Sequence, residues 1–321
     1  MKRMIAAMIG ALLLTAAGVR AEDTGPVVRA AYLQSDIHHL AFWVALEEGY
    51  YRDAGVAVDV AGVFKAGPEI MSAFAAGALD MAYVGEAPST TAVANRAADV
   101  VVVAQVNTEG SALVVSPKSA GLQRLTDLKG KTVAVPGHST VQDFLLRRAL
   151  REIGMAPDAL NIMVLKPPEM IGALRTGQID AFIAWEPYPS KSATMGVGRN
   201  LAASGTLWPG HPCCVLVSGR DFLASHPETV KAVVKVHVRA TDFIHRHPEK
   251  AVAIGVQYTG MDEQTVRTAM KNVQYTPELS VEGEKEYVRF LTDLGYIQLE
   301  NPDDFVEGFL RQDILREALH P

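Results

Sequence analysis

"PEIMSAFAAGALDMAYVGEAP" (Pro68–Pro88) and "PEMIGALRTGQIDAFIAWEPY" (Pro168–Tyr188) lie one hundred residues apart and align without a gap. Pro68/Pro168, Glu69/Glu169, Ala73/Ala173, Gly77/Gly177, Asp80/Asp180 and Glu86/Glu186 coincide. Each copy reads as a short amphipathic helix stopped by Gly, the residue that most readily turns left-handed past a helix end. An apolar run follows, the pattern of a strand buried on both faces, and it closes on Glu. Asp80 and Asp180 precede those runs and are expected to fix the turn into the strand.

Working upstream, "VVRAAYLQSDIHHLAFWVALEEG" (27–49) and "KTVAVPGHSTVQDFLLRRALREIG" (131–154) are each a strand, a polar loop and a helix. Leu40, Trp43 and Val44 supply the i, i+3, i+4 stripe of the first. The unit is strand-helix-strand-helix-strand, used twice. Alternation of this kind builds parallel sheets covered by helices, whose ligands bind beyond the carboxyl ends of the strands. The polar loops after the first strands and the Glu-containing turns after the later ones are therefore expected to line one cleft between two lobes.

"EGSALVVSP" (109–117) and "HPCCVLVSG" (211–219) are extended and bracket the second copy, as two strands crossing between lobes would. Residues 22–112 and 217–321 then form the first lobe and residues 113–216 the second. After Gly219 the chain turns helical. Pro227 starts a long helix with Val230, Val233, Val234 and Ile244 on its inner face, returning over the first lobe.

The chain opens on "MKRMIAAMIGALLLTAAGVRAED". A basic start, a short apolar run and Val19-Arg20-Ala21 make a secretory signal peptide cleaved near Ala21, too short to anchor in a bilayer. Cleavage removes Lys2, Arg3 and Arg20 and no acid, taking the net charge from −6 to −9. Such a surface disfavours nucleic acid and anionic membranes as partners. The mature protein is expected to be a freely soluble monomer of the periplasm.

Together, "ALEEGYYRDAGVAVDV", "AFAAGALDMAYVGEAPS", "DLKGKTVAVPG" and "ALRTGQIDAFIAWEPY" resemble the periplasmic solute-binding proteins of ABC importers for nitrate, taurine and aliphatic sulfonates. The resemblance runs from about Val27 to beyond Pro248. It implies an α/β fold, the two-lobed type II periplasmic binding protein. Each lobe would be a mostly parallel sheet flanked by helices, the lobes closing on a small-molecule ligand about a two-strand hinge. It also implies a membrane permease as partner, no cofactor and no catalysis. A taurine-like zwitterion or sulfonate fits better than nitrate, because two glutamates at the cleft would repel a simple anion. The chain is also similar to the yeast-type thiamin pyrimidine synthase, whose cysteine-rich run occupies a comparable place. That leaves two alternatives: a binder of pyrimidines or other heteroaromatics, and an iron- and thiol-dependent enzyme.

Candidate ligand contacts follow from the loops. Ser35, Asp36, His38 and His39 precede one helix, and His138, Ser139, Thr140 and Gln142 the other. Helix starts offer N–H groups and a positive dipole end to an anion, although Ser35, Asp36 or Thr140 could serve simply as caps. Gly85, Glu86 and Ser89 stand at the turn after one repeated strand, Trp185 and Glu186 after the other, and His211 lies beside the cysteines. Histidines and glutamates could assemble a metal site, but no His-x-x-x-His pattern accompanies them, and no metal is expected. "LTDLKGKTV" contains Gly-Lys-Thr, yet Leu125 stands where a phosphate loop needs its first Gly.

Cys213 and Cys214 are the only cysteines, and they are neighbours. In an oxidising compartment they could bridge only each other, through a distorted or cis peptide. The alternative is two thiols on opposite faces of a strand, one packed in the core. Either arrangement is expected to put at least one sulfur at the cleft.

Overall fold

The structure, a computed structural model, describes residues 25–319. The signal peptide expected over residues 1–21 lies outside them. In chain order the strands are β1 (Val28–Leu33), β2 (Val58–Phe64), β3 (Met81–Gly85), β4 (Val100–Glu109), β5 (Ser111–Val115), β6 (Thr132–Val135), β7 (Asn161–Val164), β8 (Ala181–Trp185), β9 (Arg199–Ala203), β10 (Pro212–Gly219) and β11 (Val273–Tyr275). They make a six-stranded sheet, β11-β4-β10-β3-β1-β2, and a five-stranded sheet, β7-β6-β8-β5-β9.

The repeat is visible in the topology. In one sheet β1 runs parallel to β2 and β3; in the other β6 runs parallel to β7 and β8. The repeated helices span Gly67–Ala75 and Pro167–Thr176, and the glycines beyond them, Gly77 and Gly177, sit at φ 69° and 75°. β3 and β8 are buried along their whole length, as apolar runs without alternation require. Asp80 and Asp180 do the same work in each half. The Asp80 carboxylate accepts the N–H of Arg29 at 2.8 Å and Asp180 that of Thr132 at 2.9 Å, pinning the start of the neighbouring parallel strand.

Each sheet is mixed, because the segments that carry the chain between sheets run back antiparallel. β10 pairs antiparallel with β3 and β4, and β5 with β8 and β9. The chain leaves the six-stranded sheet after Glu109, turns at Gly110 and enters the five-stranded sheet at Ser111; it returns between Ala203 and Pro212. Gly110 has φ +84°, and a Cβ there would collide with the ring of His38. The helix Pro227–Arg246 buries Val230, Val233, Val234 and Ile244 against the helices Leu40–Glu47 and Gln312–Leu319. No helix among the described residues is long and apolar enough to cross a membrane.

Candidate functional site

The site grows from the corner after β1. Asp36 caps a single turn of 3-10 helix by accepting the N–H of His38 at 3.1 Å. That turn sends its two histidines in different directions, both fully buried. His39 folds back, its Nδ1 accepting the N–H of Leu33 at 3.1 Å, and so braces the corner. His38 reaches forward and its Nε2–H donates to the carbonyl of Gly110 at 2.8 Å. That bond leaves Nδ1 as the free face of the ring, and it points at the cysteines. Cys213 Sγ lies 3.6 Å and Cys214 Sγ 3.5 Å from His38 Nδ1.

Strand alternation alone would separate the two sulfurs. They share a side because β10 is irregular there: Pro212 pairs with Thr108 and Cys214 with Asn107, so Cys213 is an extra residue, and the register shifts again before Val215. A bulge re-aims side chains in this way. The sulfurs are 4.0 Å apart and both thiols are free, against about 2.05 Å in a disulfide.

Charge organises the cluster. Burial pushes Asp36 up to about 7, although His38 pulls the other way. Burial works against a charged His38, yet Asp36 and Cys213 hold it at about 9. The Cys213 thiol is disfavoured as an anion by burial, but Cys214 and cationic His38 outweigh this and bring it well below the usual thiol range. Burial and the neighbouring Cys213 raise Cys214 well above that range. Cys213 is therefore pulled toward the thiolate and Cys214 toward the thiol.

Cys213, Cys214, Asp36 and Gly85 form one wall of a small cavity between the sheets. Thr140 and Gln142, at the start of the helix after β6, and Trp185, the last residue of β8, form the opposite wall. Its volume is about 10 Å³, room for about one water. Thr140 caps the helix Val141–Glu152 through the N–H of Asp143, and Gln142 Nε2 donates to Ser111 Oγ at 2.9 Å. Trp185 is buried and its Nε1–H has no acceptor. A larger hollow of about 690 Å³ lies near Arg29, Asp80, Asp99 and Arg220. Two of its charge pairs neutralise each other, Arg29 with Asp80 and Arg220 with Asp99, and Arg96 and Asp221 line it as well.

Other residues singled out from sequence lie elsewhere. Glu86 and Glu186 do occupy matching positions after β3 and β8, but neither carboxylate lines the cavity. Glu86 accepts from Gln105 Nε2 at 3.1 Å and faces Glu284, whose carboxyl takes the Thr90 hydroxyl at 2.8 Å. Burial pushes Glu86 up to about 7, and burial plus the Glu86 charge pushes Glu284 well above the usual range. Glu186 accepts the Ser190 N–H and hydroxyl and the Asn272 amide, at 3.1, 2.9 and 2.6 Å. Ser89 bonds back to the Gly85 carbonyl, and Ser35 donates to the Thr259 carbonyl. His138 and Ser139 line an outer groove. His211 Nδ1 meets the Pro212 carbonyl, its ring stacks on Trp208 and its Nε2 is unpartnered. Leu33, Gly67, Pro88 and Val141 complete the cavity lining. Glu284 and Gly110 carried no motif; their neighbours Thr90 and His38 are 194 and 72 residues away.

A model of the NMT1-like family matches residues 32–256. The chain belongs to the NMT1-like family. A putative binding protein of Brucella abortus (strain 2308) is 30% identical over 232 residues, 71% of this chain and 70% of that one. The taurine-binding periplasmic protein of Escherichia coli (strain K12) is 31% identical over 194 residues, 60% of this chain and 58% of its own. Among solved structures, the alkanesulfonate-binding protein of Xanthomonas axonopodis pv. citri bound to MOPS superposes with a TM-score of 0.76. It is 21% identical and covers 89% of this chain and 98% of its own. At that identity the likeness is one of fold: a periplasmic binding protein with two α/β sheets.

Proposed function

We propose that this NMT1-like protein is the solute-binding component of an ABC importer, working in the periplasm as a monomer that delivers its ligand to a membrane permease. Its two lobes, one on each sheet, separate and close about the crossings at Gly110 and between Ala203 and Pro212. Separation is required, because about 10 Å³ admits no organic solute. It binds without transforming its ligand.

The preferred ligand is a short zwitterion of the taurine type. The observation that carries this reading is the opposed character of the cavity walls. Asp36 and Cys213, whose thiol is pulled toward the anion, suit an ammonium group. The positive end of the helix Val141–Glu152, with the unpaired indole N–H of Trp185, suits a sulfonate. Nitrate has no cationic end to offer the wall of Asp36 and Cys213. Several relatives are named for sulfonates and taurine, which supports the same class. The test is a thermal-shift comparison of taurine, ethanesulfonate and nitrate on wild-type protein and on Trp185→Ala. Taurine at a hundred times its dissociation constant adds about 2.7 kcal/mol to wild type and far less to the variant. An equal shift from nitrate would overturn the reading.

A further inference from the structure

Three atoms that ligate soft metals converge in this molecule, two of them on cysteines that also wall the small cavity. His38 Nδ1 is 3.6 Å from Cys213 Sγ and 3.5 Å from Cys214 Sγ, and the sulfurs are 4.0 Å apart. Zinc bonds of about 2.3 Å to sulfur and about 2.05 Å to nitrogen, at tetrahedral angles, would place two sulfurs about 3.8 Å apart and each sulfur about 3.6 Å from the nitrogen. The three separations agree with that triangle to within a few tenths of an ångström. The Asp36 carboxylate stands beside the cluster. Asp36 Oδ1 stands 3.3 Å from His38 Nδ1, where a carboxylate ligand would stand about 3.3 Å from the nitrogen. A carboxylate oxygen of Asp36 also lies within 4.8 Å of the Cys214 sulfur.

The surroundings supply what a metal ligand needs behind it. A ligating imidazole usually donates its other N–H to a carbonyl or carboxylate, which fixes the tautomer and aims the lone pair. His38 Nε2–H does so to Gly110, and only a glycine at that position leaves the carbonyl within reach. The cysteines are held by backbone: the Cys214 carbonyl accepts from Gln105 Nε2 at 2.9 Å, and the Pro212 carbonyl from the Tyr287 hydroxyl at 2.7 Å. The bulge that puts both sulfurs on one side gives up regular pairing. A lone apolar thiol would not require that.

We propose that His38, Cys213 and Cys214 bind one thiophilic divalent cation, Zn²⁺, with the Asp36 carboxylate moving in to complete the coordination. Binding releases the protons carried by the thiols and by the His38 imidazolium, leaving two thiolates, a neutral imidazole and a carboxylate around the ion. With sulfur ligands the site discriminates against Mg²⁺ and Ca²⁺, which take oxygen.

The test uses the full mature chain, stripped with chelator and kept reduced, with both thiols verified by counting in denaturant. Titration with Co²⁺ as a spectroscopic stand-in is expected to give a thiolate-to-cobalt charge-transfer band that saturates at one equivalent. Zn²⁺ abolishes the band stoichiometrically, and a large excess of Mg²⁺ does not. Cys213→Ser and Cys214→Ser each weaken the band, and the double variant loses it. His38→Gln keeps sulfur ligation but weakens Zn²⁺ by about 100-fold or more, at least the loss that follows removal of a supporting group. Circular dichroism of each variant without metal shows that it is folded. Because the wild-type spectrum alone reports thiolate ligation, a variant that fails to fold leaves the test intact. Folded, reduced wild type without the band, or a band that survives the double variant, would overturn the proposal. Taurine binding is measured on the metal-free protein, so its success or failure is read independently.

Discussion

Glu86 and Glu284 form a buried carboxyl pair, and pairs of this kind make stability depend on pH in a direction the structure fixes. Glu86 is raised from 4.5 to about 7, first by burial. A carboxyl whose folded value lies above its unfolded value binds its proton more tightly when folded. Its contribution to stability is therefore complete below about pH 4.5 and drains away as the pH rises through about 7. At about 1.4 kcal/mol per unit, the interval from 4.5 to about 7 makes the loss on the order of 3 kcal/mol. Glu86→Gln keeps an acceptor for Gln105 Nε2, offers an amide donor to Glu284, and needs no proton. The variant is expected to match or fall below wild type near pH 4.5, and to exceed it at pH 8 by up to about 3 kcal/mol. Urea unfolding of both proteins at intervals from pH 4.5 to 8, followed by circular dichroism, gives the difference directly. The other titrating groups are common to the two proteins, and loss of the Glu86 charge lowers Glu284 as well, which adds to the difference in the same direction. A difference that is flat with pH, or a variant that becomes relatively weaker as the pH rises, would refute the reasoning.

Other expectations can be checked on the same footing. Gly110→Ala places a Cβ against the His38 ring at φ +84° and should cost about 2 kcal/mol or more in urea unfolding. Asp80→Ala orphans the Arg29 N–H at a nearly buried position, whereas Asp180 is more exposed. The first substitution should cost about 1–3 kcal/mol and the second clearly less, by the same assay. Glu186→Gln should leave ligand affinity within a few-fold by calorimetry, because the carboxylate serves Ser190 and Asn272. A loss of tenfold or more would return Glu186 to the ligand.

The duplicated architecture was legible because it is written in local signals. Apolar runs, helix stripes and the stop glycines Gly77 and Gly177 recur at fixed spacing, and each is decided within a few residues of itself. The turn role of Asp80 and Asp180 was legible for the same reason. The antiparallel strands were harder, since which sheet β5 or β10 joins depends on where the chain crosses. Asp36, Gly85, Thr140, Gln142, Trp185, Cys213 and Cys214, singled out from sequence, line the small cavity, while other residues from the same loops do not. Both glutamates sit at strand ends as the repeat implied, but their directions are set by partners such as Gln105, Glu284 and Asn272, far away in the chain. Cys213 and Cys214 share one side because of a bulge, which alternation cannot foresee. The meeting of His38 with cysteines 175 and 176 residues away leaves no spacing to read, so the expectation of no metal rested on the absence of a local motif.

The central claim, reversible capture of a taurine-like zwitterion, is tested most directly by calorimetric titration of the mature, metal-free protein with taurine, beside ethanesulfonate and nitrate. One-to-one binding tightest for taurine, with the ligand recovered chemically unchanged, is the result expected. Nitrate or a pyrimidine binding more tightly than any sulfonate, or consumption of the ligand, would contradict it.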